Sequence, residues 1–180
     1  MNNIKDILKA ILNALFSPKI VVVEDEKILV GGVGHAEDVY SESIAAGTCW
    51  TWHNVVKKNG GAGEIVKTQV LLKTTALPPR FTIYLFTDKP TCNLNDNVAN
   101  TAPLFVDWDN YIDKIDSAAL EDLGTGTSNQ TTTPNTVGGL PLYFKCHPNK
   151  KSLFGVVVSR DALTPTALDN LRIRHTIVQY

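Results

Sequence analysis

The sequence predicts a mainly β protein, an antiparallel sandwich with one amphipathic helix at its N-terminus. Three observations lead there. Only residues 2–16 keep a helical period. At least seven later segments are short runs of β-branched, aromatic and alternating residues. Clusters of glycine, proline and asparagine punctuate those runs.

The helix comes first. Ile4, Ile7, Leu8, Ile11, Leu12, Leu15 and Phe16 fall on one face at i, i+3, i+4, i+7 spacing. Asn2 or Asn3 can cap its start, and Ser17-Pro18 ends it, because a residue before proline is pushed out of the α region. An isolated helix of about fifteen residues is marginal in water. Burying one Leu or Ile is worth roughly 1.5–3 kcal/mol, so this face needs a contact. The contact is its own domain, the same helix in other copies, or a partner surface. With Lys5, Lys9 and Asp6 the helix is only slightly positive, which disfavours a membrane.

The strands follow. Residues 20–24 and 27–30 read as two short strands joined by Asp25-Glu26. Residues 39–44, 49–56 and 64–74 come next; in the last, Val66, Thr68, Val70 and Leu72 share a face. Pro78-Pro79 marks a connector, and residues 81–87 form a strong strand. The Asn-rich stretch 92–101 reads as loop, and 104–108 and 111–115 as strands. The Gly/Thr/Ser-rich stretch 124–134 reads as a flexible loop. Residues 140–146, 153–160 and 171–180 close the sandwich. The division is therefore 1–17 for the helix and 18–180 for a jelly-roll-like antiparallel β-sandwich.

Bulk properties exclude several classes. Net charge is −1, which supplies no basic field for nucleic acid. No apolar run approaches a membrane span, and Lys5, Asp6 and Lys9 interrupt any signal-peptide pattern. Cys49, Cys92 and Cys146 are odd in number and widely spaced, which argues against a disulfide framework and for synthesis in a reducing cytoplasm.

Candidate chemistry is sparse. Asp107, Asp109, Asp113 and Asp116 lack the glycine and glutamate of a calcium loop and read as an acidic surface. Cys49 and His53 could share a strand face, but the paired spacing of a zinc site is missing. Cys146 and His147 are adjacent, so on a strand they point to opposite faces, which spoils a nucleophile–base pair. Gly31-Gly32-Val33-Gly34 lacks the Lys-Ser/Thr ending of a phosphate loop and reads as a turn.

His175 shares a face with Leu171, Ile173 and Ile177, as a core histidine or a pH-sensitive subunit contact. Trp50, Trp52 and Trp108 are candidates for a sugar platform, though aromatic core residues give the same pattern. Residues 107–122 hold six acids against Lys114, and 145–180 hold six Lys/Arg against Asp161 and Asp169. In a repeating assembly that asymmetry could set head-to-tail register. No catalytic set, metal site or cofactor site emerges.

From Phe81 onward an ordered set of motifs resembles a family of tailed-phage head proteins, the capsid decoration or cement proteins. The set begins with Phe81-Thr82-Ile83-Tyr84-Leu85-Phe86, Asp88-Lys89-Pro90 and Asn95-Asp96-Asn97. Asp113-Lys114-Ile115-Asp116 and Ala118-Ala119-Leu120-Glu121-Asp122-Leu123 follow. Leu153-Phe154-Gly155-Val156-Val157-Val158, Ser159-Arg160-Asp161-Ala162 and the alternating stretch 171–180 complete it. The resemblance covers a little over half of the chain.

It implies a jelly-roll-like sandwich that forms trimers or a similar homo-oligomer. It also implies a partner in the major capsid protein and a place on the capsid surface of a virion made in a bacterial cytoplasm. The implied role is to decorate and stabilise, without catalysis. The N-terminal helix lies outside the family pattern, so Ile4, Ile7, Leu8, Ile11, Leu12, Leu15 and Phe16 become the candidate oligomer or capsid contact. Two rivals are a jelly-roll module that displays a carbohydrate or receptor site through Trp50, Trp52 and residues 124–134, and a small β-sandwich hydrolase.

Overall fold

A computed structural model describes residues 3–74, 77–123, 128–132 and 139–180. Helix α1 spans Ile4–Phe16. The Asn3 side-chain oxygen accepts the Lys5 amide at 3.3 Å, and its carbonyl accepts Asp6 N–H at 2.8 Å. Asp6 sits in the first turn, where the helix dipole favours an acid.

Ten strands follow among the described residues: β1 Lys19–Ile28, β2 Trp50–Trp52, β3 Ala62–Leu72, β4 Phe81–Phe86 and β5 Tyr111–Asp116, then β6 Glu121–Asp122, β7 Ser128–Thr132, β8 Leu142–Lys145, β9 Leu153–Ser159 and β10 Asn170–Gln179. One sheet runs β1-β10-β3-β7-β6, and β8 also pairs β3; the other runs β2-β9-β4-β5. β8 pairs the Ala62–Ile65 end of β3 and β7 the Thr68–Leu72 end, so the first sheet is four rows wide along most of its length. The pairs nest: β1 with β10, β2 with β9, β3 with β7 and β8, β4 with β5, all antiparallel. A long hairpin rolled up in this way is a jelly-roll sandwich.

The main core lies between the sheets, where Trp50, Trp52, Ile65, Leu72, Phe81, Ile83, Leu85, Leu153 and Ile173 are buried together. A second cluster covers the outer face of the four-stranded sheet. There Cys92 and Ala102 from the Asn-rich loop pack with Val39, Cys49, Phe86, Phe154, Val156 and Val158. β9 is therefore buried at every position. This double cover gives its uninterrupted apolar run.

Several local expectations are corrected. Asp25-Glu26 is no turn, because β1 runs through it, with Asp25 opposite Ile173 and Glu26 opposite Arg172. A full-length partner overrides the turn preference of two acids, and Glu24–Arg174 and Glu26–Arg172 ion pairs bridge the strands. Of residues 39–44 only Val39 forms an isolated bridge, to Val158, and none is strand; the Asp96 carboxylate takes the Ser41 amide at 2.8 Å. Of residues 49–56 only Trp50–Trp52 is strand.

Residues 104–108 bend into a 3₁₀ turn at Phe105–Asp107. Val66 does not join the inward face of β3. The register with β10 slips between Thr176 and Ile177, which leaves Val66 as the extra, bulged residue and turns Ile65 inward instead. The stretch read as a loop at 124–134 contains β7, and its residues 124–127 and 133–134 lie outside the described ones.

Candidate functional site

α1 reaches the sandwich through two residues, Ser17 and Pro18, and Lys57 Nζ donates to the Ser17 carbonyl. The helix is thereby anchored at one end. Its apolar face is open: Ile4 is 80% exposed, Ile7 47%, Leu8 57% and Leu12 45%. Ile11, Leu15 and Phe16 lie on the same helix, with side chains outside the described ones. Four large apolar side chains in water on one short helix make a surface that lacks its counterpart.

The other candidates resolve into structure. Trp50 and Trp52 do share a face, with ring centroids 6.4 Å apart and planes 19° apart. That face is the core. Both indoles are buried, and their Nε1 groups donate to the carbonyls of Tyr40 (3.0 Å) and Ile173 (3.2 Å). They form no sugar platform, which removes the footing of the carbohydrate-binding rival. Trp108 is exposed elsewhere.

His175 is a core histidine. Its Nδ1 lies 2.8 Å from Thr68 Oγ1, its ring packs edge-on against Trp52 with centroids 4.4 Å apart, and its Nε2 has no partner. Burial pulls its pKa down to about 3. Full burial excludes the subunit-contact reading.

The cysteines are buried. Cys49 and Cys92 pack on the outer face of the four-stranded sheet, while Cys146 belongs to the main core. His53 is exposed, with Nδ1 3.1 Å from Ser152 Oγ, and His147 Nδ1 accepts the Asn149 amide of its own turn. Burial pushes the Cys92 and Cys146 thiols up to about 11. A thiol so raised is a poor nucleophile at neutral pH. Because all three cysteines are buried, none is expected to react with Ellman's reagent in the native protein, and all three should react in denaturant. A fast native phase would contradict the packing.

No group of three metal-ligating side chains converges among the described residues. Asp107 is buried and spends its carboxylate on Thr91, whereas Asp116 pairs with Lys114 and Thr82. Gly31 and Gly34 serve packing. A side chain on Gly31 would meet the Ala167 backbone at 2.6 Å, and one on Gly34 the Tyr40 hydroxyl at 2.3 Å.

The C-terminal cations are largely neutralised within the chain, since Arg172, Arg174, Arg160 and Lys150 pair with Glu26, Glu24, Glu37 and Asp88. A depression of about 700 Å³ is lined by Arg80, Arg160, Lys114, Glu37 and Asp116. Each of its cations already faces an acid: Arg80 meets Asp161, Arg160 meets Glu37 and Lys114 meets Asp116. Ion pairs of this kind hold strands together.

No protein-family model matches the chain, and no curated protein matches it in sequence. Among solved structures it is distantly similar to a chain of the cyanophage Pam1 capsid asymmetric unit. The identity is 12% over 92% of this chain and 88% of that one, with a TM-score of 0.33. A chain of Triatoma virus is similar at 9% identity, with 84% of this chain and 62% of that one covered and a TM-score of 0.25. The chain thus has distant structural similarity to viral capsid proteins, without a family assignment.

Proposed function

We propose that the chain is a non-enzymatic structural protein of a virion that decorates and stabilises a capsid as a homo-oligomer on the major capsid protein. The observation that carries this reading is α1: an apolar helical face held out from a jelly roll that is closed in its own core. A helix of this kind finds its burial in other subunits or in a capsid groove. Ile4, Ile7, Leu8, Ile11, Leu12, Leu15 and Phe16 are the residues assigned to that contact. Supporting it, Cys146 and His175 are buried in the core, and Asp107 and Asp116 are spent on Thr91 and Lys114. The distant likeness to viral capsid chains agrees with the reading and carries none of it.

Deleting residues 1–17 tests the proposal. The truncated sandwich is expected to keep its sheet circular dichroism and a cooperative melt. It should lose either its assembly state in sedimentation or its co-sedimentation with assembled capsids. Retention of both would refute the role of the helix, and unfolding would show that α1 belongs to the domain core. Purified particles should contain the chain in amounts stoichiometric with capsid subunits; its absence from them would sink the virion role.

A further inference from the structure

The turn between β4 and β5 sends three large apolar side chains into solvent, with Phe105 93% exposed, Val106 74% and Trp108 60%. The turn is held firmly. The buried Asp107 carboxylate accepts the Thr91 amide and hydroxyl, both at 2.9 Å. Asp107 N–H donates to the Leu104 carbonyl at 3.0 Å, and the Trp108 ring leans on Tyr111 with centroids 5.5 Å apart. A fixed turn that presents Phe, Val and Trp to water contributes nothing to its own core.

A depression of about 620 Å³ lies where α1 joins the sandwich. Pro18, Val21 and Val56 line it together with Asn54, Gln179 and three lysines, Lys19, Lys57 and Lys151. Among the described residues none of these three ammonium groups is in an ion pair. Asp109 and Asp113, exposed beside the apolar turn, are likewise outside every ion pair described. Turn and depression thus both carry apolar side chains, and the unpaired charges beside them are opposite in sign.

Strand registers fix where the two features sit. Trp52 at the end of β2 faces Leu153 at the start of β9. Phe86 at the end of β4 faces both Phe154 and Tyr111. The end of β2 and the start of β5 therefore lie at one end of the four-stranded sheet, on its two opposite edges. Val56 and Lys57 follow β2, whereas the apolar turn leads into β5. With strands about 4.8 Å apart, three spacings separate the two edges by roughly 14 Å. A single chain cannot close that gap, but a second copy set alongside it can.

We propose that the 105–108 turn of one copy seats in the Pro18–Val21–Val56 depression of the next, with Asp109 and Asp113 against the lysines. The contact is heterologous. Because both halves lie at the same end of the sandwich, successive copies stand side by side, and a constant rotation between them closes a ring. Three side chains are a fraction of a standard interface of about 1,600 Å², so one contact is weak and ring closure supplies the rest. This contact is separate from α1 and does not depend on the capsid reading.

Two single variants of the full chain, Phe105→Cys and Lys151→Cys, test it when mixed under mild oxidation. The native thiols are buried and do not compete. A disulfide between unlike variants is expected to form at least about tenfold faster than between like ones. Phe105→Asp, at a position outside the core, should weaken self-association in sedimentation velocity about tenfold, the scale of an interface anchor. Lys151→Glu should weaken it too, and Asp109→Lys should restore it in that background. The proposal is overturned if like variants cross-link as fast as unlike ones, or if Phe105→Asp sediments as the wild type does at every concentration.

Discussion

Trp52→Ala is expected to remove about 3–5 kcal/mol of stability, the scale of deleting a buried indole. A domain of this size has roughly 5–15 kcal/mol in total, so the variant should lose much of its margin. Three contacts go at once. The indole donates to the Ile173 carbonyl, stacks with Trp50 and supports the His175 ring. It also fills the space over Gly155, where an added Cβ would come within 2.8 Å of the ring. Gly155→Ala should therefore be costly in the wild type and much less so beside Trp52→Ala, a non-additivity expected of touching residues. Urea titrations of the four proteins measure it. Simple additivity would mean that the ring does not press on Gly155.

Acid should destabilise the fold through His175. The unfolded imidazole takes a proton near pH 6.5, whereas the buried ring in the folded state waits until about pH 3. Between those values the unfolded chain holds the extra proton, so stability is full above pH 6.5 and falls as pH drops toward 3. The limiting slope is about 1.4 kcal/mol per pH unit.

Asp96 works against this in part of the window. Burial raises its carboxyl to about 6, so its contribution is present below the ordinary carboxylate value and is lost as pH rises through 6. The histidine shift is the larger, and the net loss is expected below pH 4, where Asp96 no longer offsets it. His175→Gln, which can keep the bond to Thr68, should flatten the acid limb of a stability–pH curve. An unchanged limb would show that His175 is not its source.

Legibility in the sequence followed the range of the interaction. β10 was readable because its strict alternation is enforced by one core on one side. α1 was readable from its period and its proline stop. Trp50 and Trp52 were placed on one face, but periodicity does not say which face is inside when loops bury the other side as well, as they do at Cys49. The 105–108 turn looked like strand because Phe, Val and Trp favour strands; its bend depends on Thr91 meeting Asp107, a contact no local pattern carries. β7 was hidden in Ser, Asn, Gln and Thr, which pair along β3 despite weak strand preference. The apolar face of α1 was legible as unpartnered. The 105–108 turn was missed as a surface feature for the reason that hid its shape.

The nested pairing also sets a clock. β1 is made first among the strands, yet its partner β10 is made last, with Lys19 opposite Gln179 and Ile28 opposite Asn170. The sandwich cannot close until β10 has left the ribosome, and long-range pairing of this kind folds slowly, in milliseconds to seconds.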